Sequence, residues 1–161
     1  MISVTQADLH NPDDGQAILT LLDEYARDPM GGGAPLDPAV RARLIDELAK
    51  RPTARVLIAR DEAGPAGLAI TFEGFSTFAG KPLLNLHDFM VSARCRGQGV
   101  GLRLLAALDE LARSLGCCKL TLEVLEGNEA ARRLYRKAGY EGYALQAEHG
   151  QAHFWQKKLE A

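Results

Sequence analysis

Arg96-Gly97-Gln98-Gly99-Val100-Gly101 lies where an apolar, β-prone segment (Leu83, Leu84, Leu86, Phe89, Val91) meets a leucine-rich amphipathic run. In order this is strand, glycine turn, helix. Such a turn leaves unpaired backbone N–H groups at a helix start, with the positive end of the helix dipole behind them, and so forms a cradle for a phosphate group. The spacing predicts a phosphorylated cofactor. Gly97-x-Gly99-x-Gly101 is also two-thirds of a dinucleotide fingerprint, with Glu123 roughly twenty residues on, where a ribose-binding acid would stand. Against that reading, the third glycine of the pattern falls at Leu102, and the turn follows several antiparallel-looking strands instead of opening the domain. A purely structural glycine turn is the plainer alternative.

The elements that must position this turn follow from the apolar period. Ile2 to Thr5 alternates like a strand, and Gln16 to Arg27 puts Ile18, Leu21, Leu22 and Tyr25 on one helical face behind candidate caps Asp13 and Asp14. Asp28 to Pro38 breaks the pattern. Pro29, Gly31-Gly32-Gly33, Pro35 and Pro38 are read as unable to sit inside a regular element, so this stretch is expected to be a loop or lid. Ala39 to Lys50 is helical with Val40, Leu44, Ile45 and Leu48 inward, and Pro52 ends it. Strands are expected over Arg55–Arg60, Ala66–Phe75 and Leu83–Val91, with Gly64-Pro65 as a turn between the first two.

From Val100 the period is helical, with Leu104, Leu105, Leu108, Leu111 and Leu115 inward and Gly116 as the stop. Lys119–Leu125 reads as a strand, Asn128–Ala138 as a helix closed by Gly139, and Tyr143–Leu159 as a hairpin turning near His149-Gly150. The order predicts an α/β chain of the α+β type: one mixed, mostly antiparallel sheet of about six to seven strands with about four helices on both faces.

Composition sets limits on function. The chain has 161 residues, the size of one domain, and a net charge of -2, which argues against a nucleic-acid surface. No apolar run is long enough to span a bilayer, and Ile2-Ser3-Val4-Thr5-Gln6 lacks the basic start and long apolar core of a signal peptide, so a soluble, cytoplasmic protein is expected. Cys95, Cys117 and Cys118 are odd in number, include an adjacent pair and form no zinc spacing. They read as reduced small hydrophobes, and no metal site is expected.

Arg96-x-x-Gly99-x-Gly101 resembles the Arg/Gln-x-x-Gly-x-Gly/Ala signature of the GNAT superfamily of acetyl-CoA-dependent N-acetyltransferases, and a second motif follows it. Asn128-Glu129-Ala130-Ala131-Arg132-Arg133-Leu134-Tyr135-Arg136-Lys137-Ala138-Gly139-Tyr140 is similar to that superfamily's Asn-x-x-Ala-x-x-Leu-Tyr-x-x-x-Gly-Phe/Tyr segment. The resemblance is sharp over Leu83 to Tyr140, weaker over Ala54 to Thr71 and essentially topological elsewhere. It implies a single acetyltransferase domain over 1–161, with acetyl-CoA as cosubstrate and an amine, small or peptide-borne, as acceptor. Dimers are common in that superfamily, and a homodimer stays open here.

The resemblance also implies roles. The main chain of Phe89, Met90 and Val91, the turn Arg96, Gly97, Gln98, Gly99, Val100 and Gly101, and Asn128, Ala131 and Tyr135 would contact the cofactor, with Asn128 doubling as a helix cap. Tyr135 would be the general acid that protonates the leaving thiolate; core packing is its alternative role. For the base, relatives often use a carboxylate on the strand before the glycine turn, where this chain has His87-Asp88. His87 is preferred because imidazole titrates near neutrality, with a plain core histidine nearly as good a reading and Asp88 and Glu123 as alternates. Strict alternation puts His87, Phe89 and Val91 on one face and Leu86, Asp88 and Met90 on the other unless a bulge intervenes. Tyr25 and Glu123 are candidate acceptor-binding residues. The competing function is a noncatalytic acyl-CoA sensor, which needs the turn but neither acid nor base.

Overall fold

Helix one shows how local chemistry sets an element. In the computed structural model, which describes residues 1–159, α1 (Pro12–Arg27) opens with Pro12 at its first position while the Asn11 side chain accepts the Asp13 N–H at 2.8 Å. Asn11 is therefore the cap, and Asp13 and Asp14 lie in the first turn, where their charge complements the dipole. The same device starts α2 (Pro38–Ala49): the Asp37 carboxylate accepts from Ala39 N–H, and Pro38 occupies the first helical position, where a missing N–H costs nothing. Pro38, read from sequence as a breaker, is thus a helix starter. Pro29–Gly31 within the intervening connection forms a short 3-10 turn.

The strands are β1 (Ser3–Gln6), β2 (Ala54–Asp61), β3 (Gly64–Ser76), β4 (Lys81–Val91) and β5 (Leu120–Leu122). They form one sheet in the order β1-β2-β3-β4-β5, antiparallel except for the β4–β5 pair, which is parallel. Two apolar clusters cover its faces. Ala17, Ile18, Leu21 and Leu22 of α1 and Leu48 of α2 pack with Val56, Ile58, Leu68, Ile70 and Met90 on one side. On the other side α3 (Val100–Ser114) brings Val100, Leu104, Leu105 and Leu108, and α4 (Glu129–Lys137) brings Tyr135, against Leu57, Ala59, Leu84 and Leu86.

The sheet has five strands among the described residues, fewer than the expected six to seven. Tyr143–Leu159 does not extend it: the stretch is exposed and irregular, with a 3-10 turn at Ala147–His149 and a single hairpin-like bond from Ala152 N–H to Tyr143 O at 3.2 Å. The polar run from Gln146 to Gln151 has no apolar face to bury, and nothing repays the ordering of a ladder there. β5 is likewise shorter than Lys119–Leu125, ending at Leu122. No helix among the described residues is long and apolar enough to cross a membrane.

Candidate active site

The site begins with an irregularity in β4. Ile70 pairs with Asp88 but Thr71 pairs with Leu86, so His87 is an extra residue in its strand, a β-bulge. One inserted residue reverses the alternation beyond it. Leu84 and Leu86 face α3 before the bulge, and Phe89 and Val91 take that same face after it, while Met90 is buried on the α1 side. Strict alternation, which separated Leu86 from Phe89 and Val91, therefore fails at this point. His87 is left exposed, its ring edge-on to Phe72 at 5.3 Å between centroids.

The bulge sits where the sheet opens. β4 and β5 pair only from Leu84↔Leu120 to Leu86↔Leu122, and past Leu122 the strands part. The N–H of Ser92 is bonded to Ala66 O at 2.9 Å on the β3 side. By alternation the Met90 N–H points the same way, and the N–H groups of Phe89 and Val91 point into the gap.

At the end of β4 the chain passes through a 3-10 turn (Ala93–Cys95) and the glycine turn into α3. Gly97 and Gly99 have φ of 76° and 80°, the left-handed region that glycine enters without strain, and Gly99 caps α3 with no side-chain bond. The N–H groups of Gly97, Gly99, Val100, Gly101 and Leu102 have no protein acceptor among the described residues. A Cβ on Gly97 or Gly99 would meet nothing within 4 Å, so the mouth of this nest is open. Gly101 serves differently: a Cβ there would lie 2.8 Å from Leu134 Cδ2, so its bareness lets α3 approach α4. The nest suits the phosphates of a CoA-type cofactor. Beside it, the Gln98 amide donates back to Arg94 O at 3.0 Å, and the Arg96 guanidinium donates to Asp28 Oδ2 at 3.0 Å.

Across the gap, Asn128 caps α4 by accepting the Ala131 N–H at 3.2 Å. That helix holds Tyr135, 8% exposed, with its ring 5.8 Å from Phe89 and 5.8 Å from Tyr140. Burial raises the Tyr135 phenol well above its ordinary pKa, and the Tyr25 and Tyr140 phenols add to the rise. Tyr25, at the end of α1, is raised by burial and then by the Asp88 and Asp28 carboxylates. The Asp88 carboxyl is itself raised by burial, with His87 pulling the other way. Asp88 thus acts on Tyr25, and Tyr25 in turn on Tyr135. Glu123 is exposed, one residue beyond β5.

Two contributors carry no local signal in the sequence. Glu24 Oε1 accepts the Ala93 N–H at 2.7 Å across 69 positions, and Asp28 reaches Arg96 across 68. The Tyr140 hydroxyl is buried without a hydrogen-bond partner among the described residues, and burial lifts its pKa to about 12.

A single sheet splayed between β4 and β5, with an amide nest at one side of the split and a buried tyrosine at the other, defines an acyltransferase architecture. Residues 16–140 match the acetyltransferase (GNAT) family, and the chain belongs to it. It is 35% identical over 73 residues to the thialysine N-epsilon-acetyltransferase of Bos taurus, covering 45% of this chain and 42% of that protein. Over 107 residues it is 32% identical to an L-methionine sulfoximine/L-methionine sulfone acetyltransferase of Pseudomonas aeruginosa, covering 66% of this chain and 62% of the other. The chain thus spans less than two thirds of the length of these relatives. Among solved structures, a probable acetyltransferase superposes with a TM-score of 0.81 at 18% identity, covering 98% of this chain and 99% of the other. A ribosomal-protein-alanine N-acetyltransferase from Brucella melitensis biovar Abortus 2308 gives 0.73 at 20% identity, covering 100% and 99%. At such identities the structures establish the fold.

Proposed function

We propose that the protein is an N-acetyltransferase that uses acetyl-CoA directly on an amine acceptor bound in the same complex. The observation that carries this reading is the parting of β4 and β5 past Leu86 and Leu122, where the Phe89 and Val91 N–H groups point away from β3 and β4 leads into an open amide nest. Bound acetyl-CoA would supply an acetyl group activated as a thioester. The free amides of Gly97, Gly99, Val100, Gly101 and Leu102 would hold its phosphates, and Asn128 and Ala131 would flank its arm.

The rest falls to the chain's own side chains. An ordinary primary amine, pKa near ~10.4, arrives protonated and cannot attack. We assign its deprotonation, directly or through one water, to Asp88. Its carboxyl is half-buried, raised in pKa and grouped with Tyr25 and Tyr135, whereas His87 points out of the group at the bulge. The N–H groups of Phe89 and Val91 meet the negative charge that develops on the carbonyl oxygen. Tyr135 stays protonated across the neutral range, because its environment disfavours the phenolate, and donates to the departing sulfur. Tyr25 then borders the acceptor.

The names of the similar proteins include thialysine, L-methionine sulfoximine or sulfone and a ribosomal-protein alanine, so the acceptor is taken as an amine, small or protein-borne. Thermal shift with acetyl-CoA, CoA and NAD, followed by a free-thiol assay over a panel of small amines and peptides, tests the reading. Stabilisation by the two CoA species alone and amine-dependent thiol release are expected. Stabilisation by NAD alone would select the dinucleotide reading, and CoA binding without transfer to any amine would select a sensor.

A further inference from the structure

Two carboxylates at the end of α1 reach across to the phosphate turn, and one of them also organises the connection to α2. Glu24 accepts the Ala93 N–H, and Asp28 Oδ2 accepts from the Arg96 guanidinium at 3.0 Å. The other oxygen of Asp28 accepts the Met30 N–H at 2.9 Å, and its carbonyl accepts from Gly31 at 2.8 Å and Gly33 at 3.1 Å. Gly31 lies so close to Tyr25 that a Cβ would overlap the Tyr25 carbonyl. Ala34 N–H bonds to Ala26 O, and Leu36 N–H to Asp23 Oδ1, so residues 28–36 are fastened back along α1 beside Tyr25. Among the described residues Asp28 reaches the phosphate turn through Arg96 alone, and Arg96 is 62% exposed at the lip of the open amide nest.

A guanidinium binds phosphate at least as well as it binds carboxylate, often through two parallel bonds. An anion in the nest competes with Asp28 for Arg96, and the Asp28 carboxylate repels that anion. We propose that Arg96 is exchanged between Asp28 and the cofactor phosphates. Asp28 is then a positioning residue whose release by cofactor binding frees the 28–36 connection next to the acceptor side of the cleft. The coupling is reciprocal: whatever loosens that connection must strengthen cofactor binding by the same factor. This rests on the acetyl-CoA reading above.

Calorimetry with CoA and hydrogen exchange of the 28–36 amides test it on the wild type, Asp28→Asn, Asp28→Glu, Arg96→Ala and the Asp28→Asn/Arg96→Ala double variant. Asp28→Asn is expected to bind CoA about two- to fivefold more tightly, the size of one exposed ion pair. Arg96→Ala should bind more weakly, Asp28→Asn should gain much less affinity in the Arg96→Ala background than in the wild type, leaving only the relief of charge repulsion, and Asp28→Glu should return affinity toward the wild type. In the wild type, CoA should speed exchange at Met30, Gly31 and Gly33; in Asp28→Asn those amides should already be fast and not respond to CoA. Unchanged or weaker CoA binding by Asp28→Asn, or slower exchange of 28–36 in the CoA-bound wild type, overturns the exchange and leaves the cofactor reading standing. A wild type that binds no CoA overturns the cofactor reading itself.

Discussion

Asp88 is a carboxyl group drawn partly out of water beside a cleft, and burial outweighs the help of His87 in setting its pKa above the ordinary carboxylate value. A base must be ionised, so the acid limb of the kcat/KM profile is expected to lie above the usual carboxylate range. Asp88→Asn should abolish that limb and slow transfer by about 10²–10⁴-fold. His87→Ala should leave the limb in place, and a limb lost with His87 would return the base role to the imidazole. Stability supplies an independent check. A raised folded-state pKa means that the native protein holds the proton more tightly than the unfolded chain, so the contribution is present below the unfolded pKa and lost as pH rises through the folded one. Asp88→Asn should therefore be more resistant to urea than the wild type at neutral pH, with the difference closing in acid. Asp61 runs the opposite way. The Arg94 guanidinium holds its carboxyl at about 2, so its stabilising share is present above the ordinary carboxylate pKa and declines as pH falls toward that value. Tyr135→Phe removes only a proton donor from a packed ring, so CoA affinity should hold while the rate of thiol release drops; full activity would assign protonation of the thiolate to another group.

At the scale of elements, the cleft depends on how close α3 lies to the sheet. Gly67 on β3 sits under that helix: a Cβ there would be 2.9 Å from Leu104 Cδ1 and 3.0 Å from the Met90 carbonyl oxygen. The leucine can swing away, but the backbone of β4 cannot move without shifting Phe89 and Val91. Gly67→Ala should cost about 1–3 kcal/mol, the range for overpacking a well-filled core, and should weaken CoA binding as well. Gly127→Ala is the control, since a Cβ there meets nothing within 4 Å; it should stay within about 0.5 kcal/mol of the wild type in chemical denaturation. Equal losses in both variants would dissociate the effect from the α3 contact.

For the molecule as a whole, the sheet separates two apolar clusters. Ile18, fully buried under α1, and Leu104, fully buried under α3, belong to different clusters on opposite faces. Ile18→Val should cost about 0.5–1.5 kcal/mol and Leu104→Ala about 2–5 kcal/mol. Because the sites share no partner, the double variant should show the sum to within about 0.5 kcal/mol in equilibrium unfolding. A larger deviation would mean that the faces communicate through the strands. Tyr25 of one cluster nonetheless adds to the raised pKa of Tyr135 in the other.

Features set by near neighbours along the chain were legible before any fold was known. The turn from Arg96 to Gly101, the inward leucines of α3 and the Asn128 cap depend on residues a few positions apart, where helical period, glycine φ and capping bonds act. The chain-end hairpin expected over Tyr143–Leu159 does not form as a strand pair in the described residues. Only packing decided the rest. The bulge at His87 is a property of the β3–β4 register, so no inspection of β4 alone could tell that Leu86 would share a face with Phe89. Likewise Glu24 and Asp28 look like ordinary helix-end acids until the fold brings the turn at Ala93 and Arg96 within hydrogen-bond reach. A hydrogen bond acts over about 3 Å of space whatever the separation in sequence, so such partners become visible only when the chain has closed on itself.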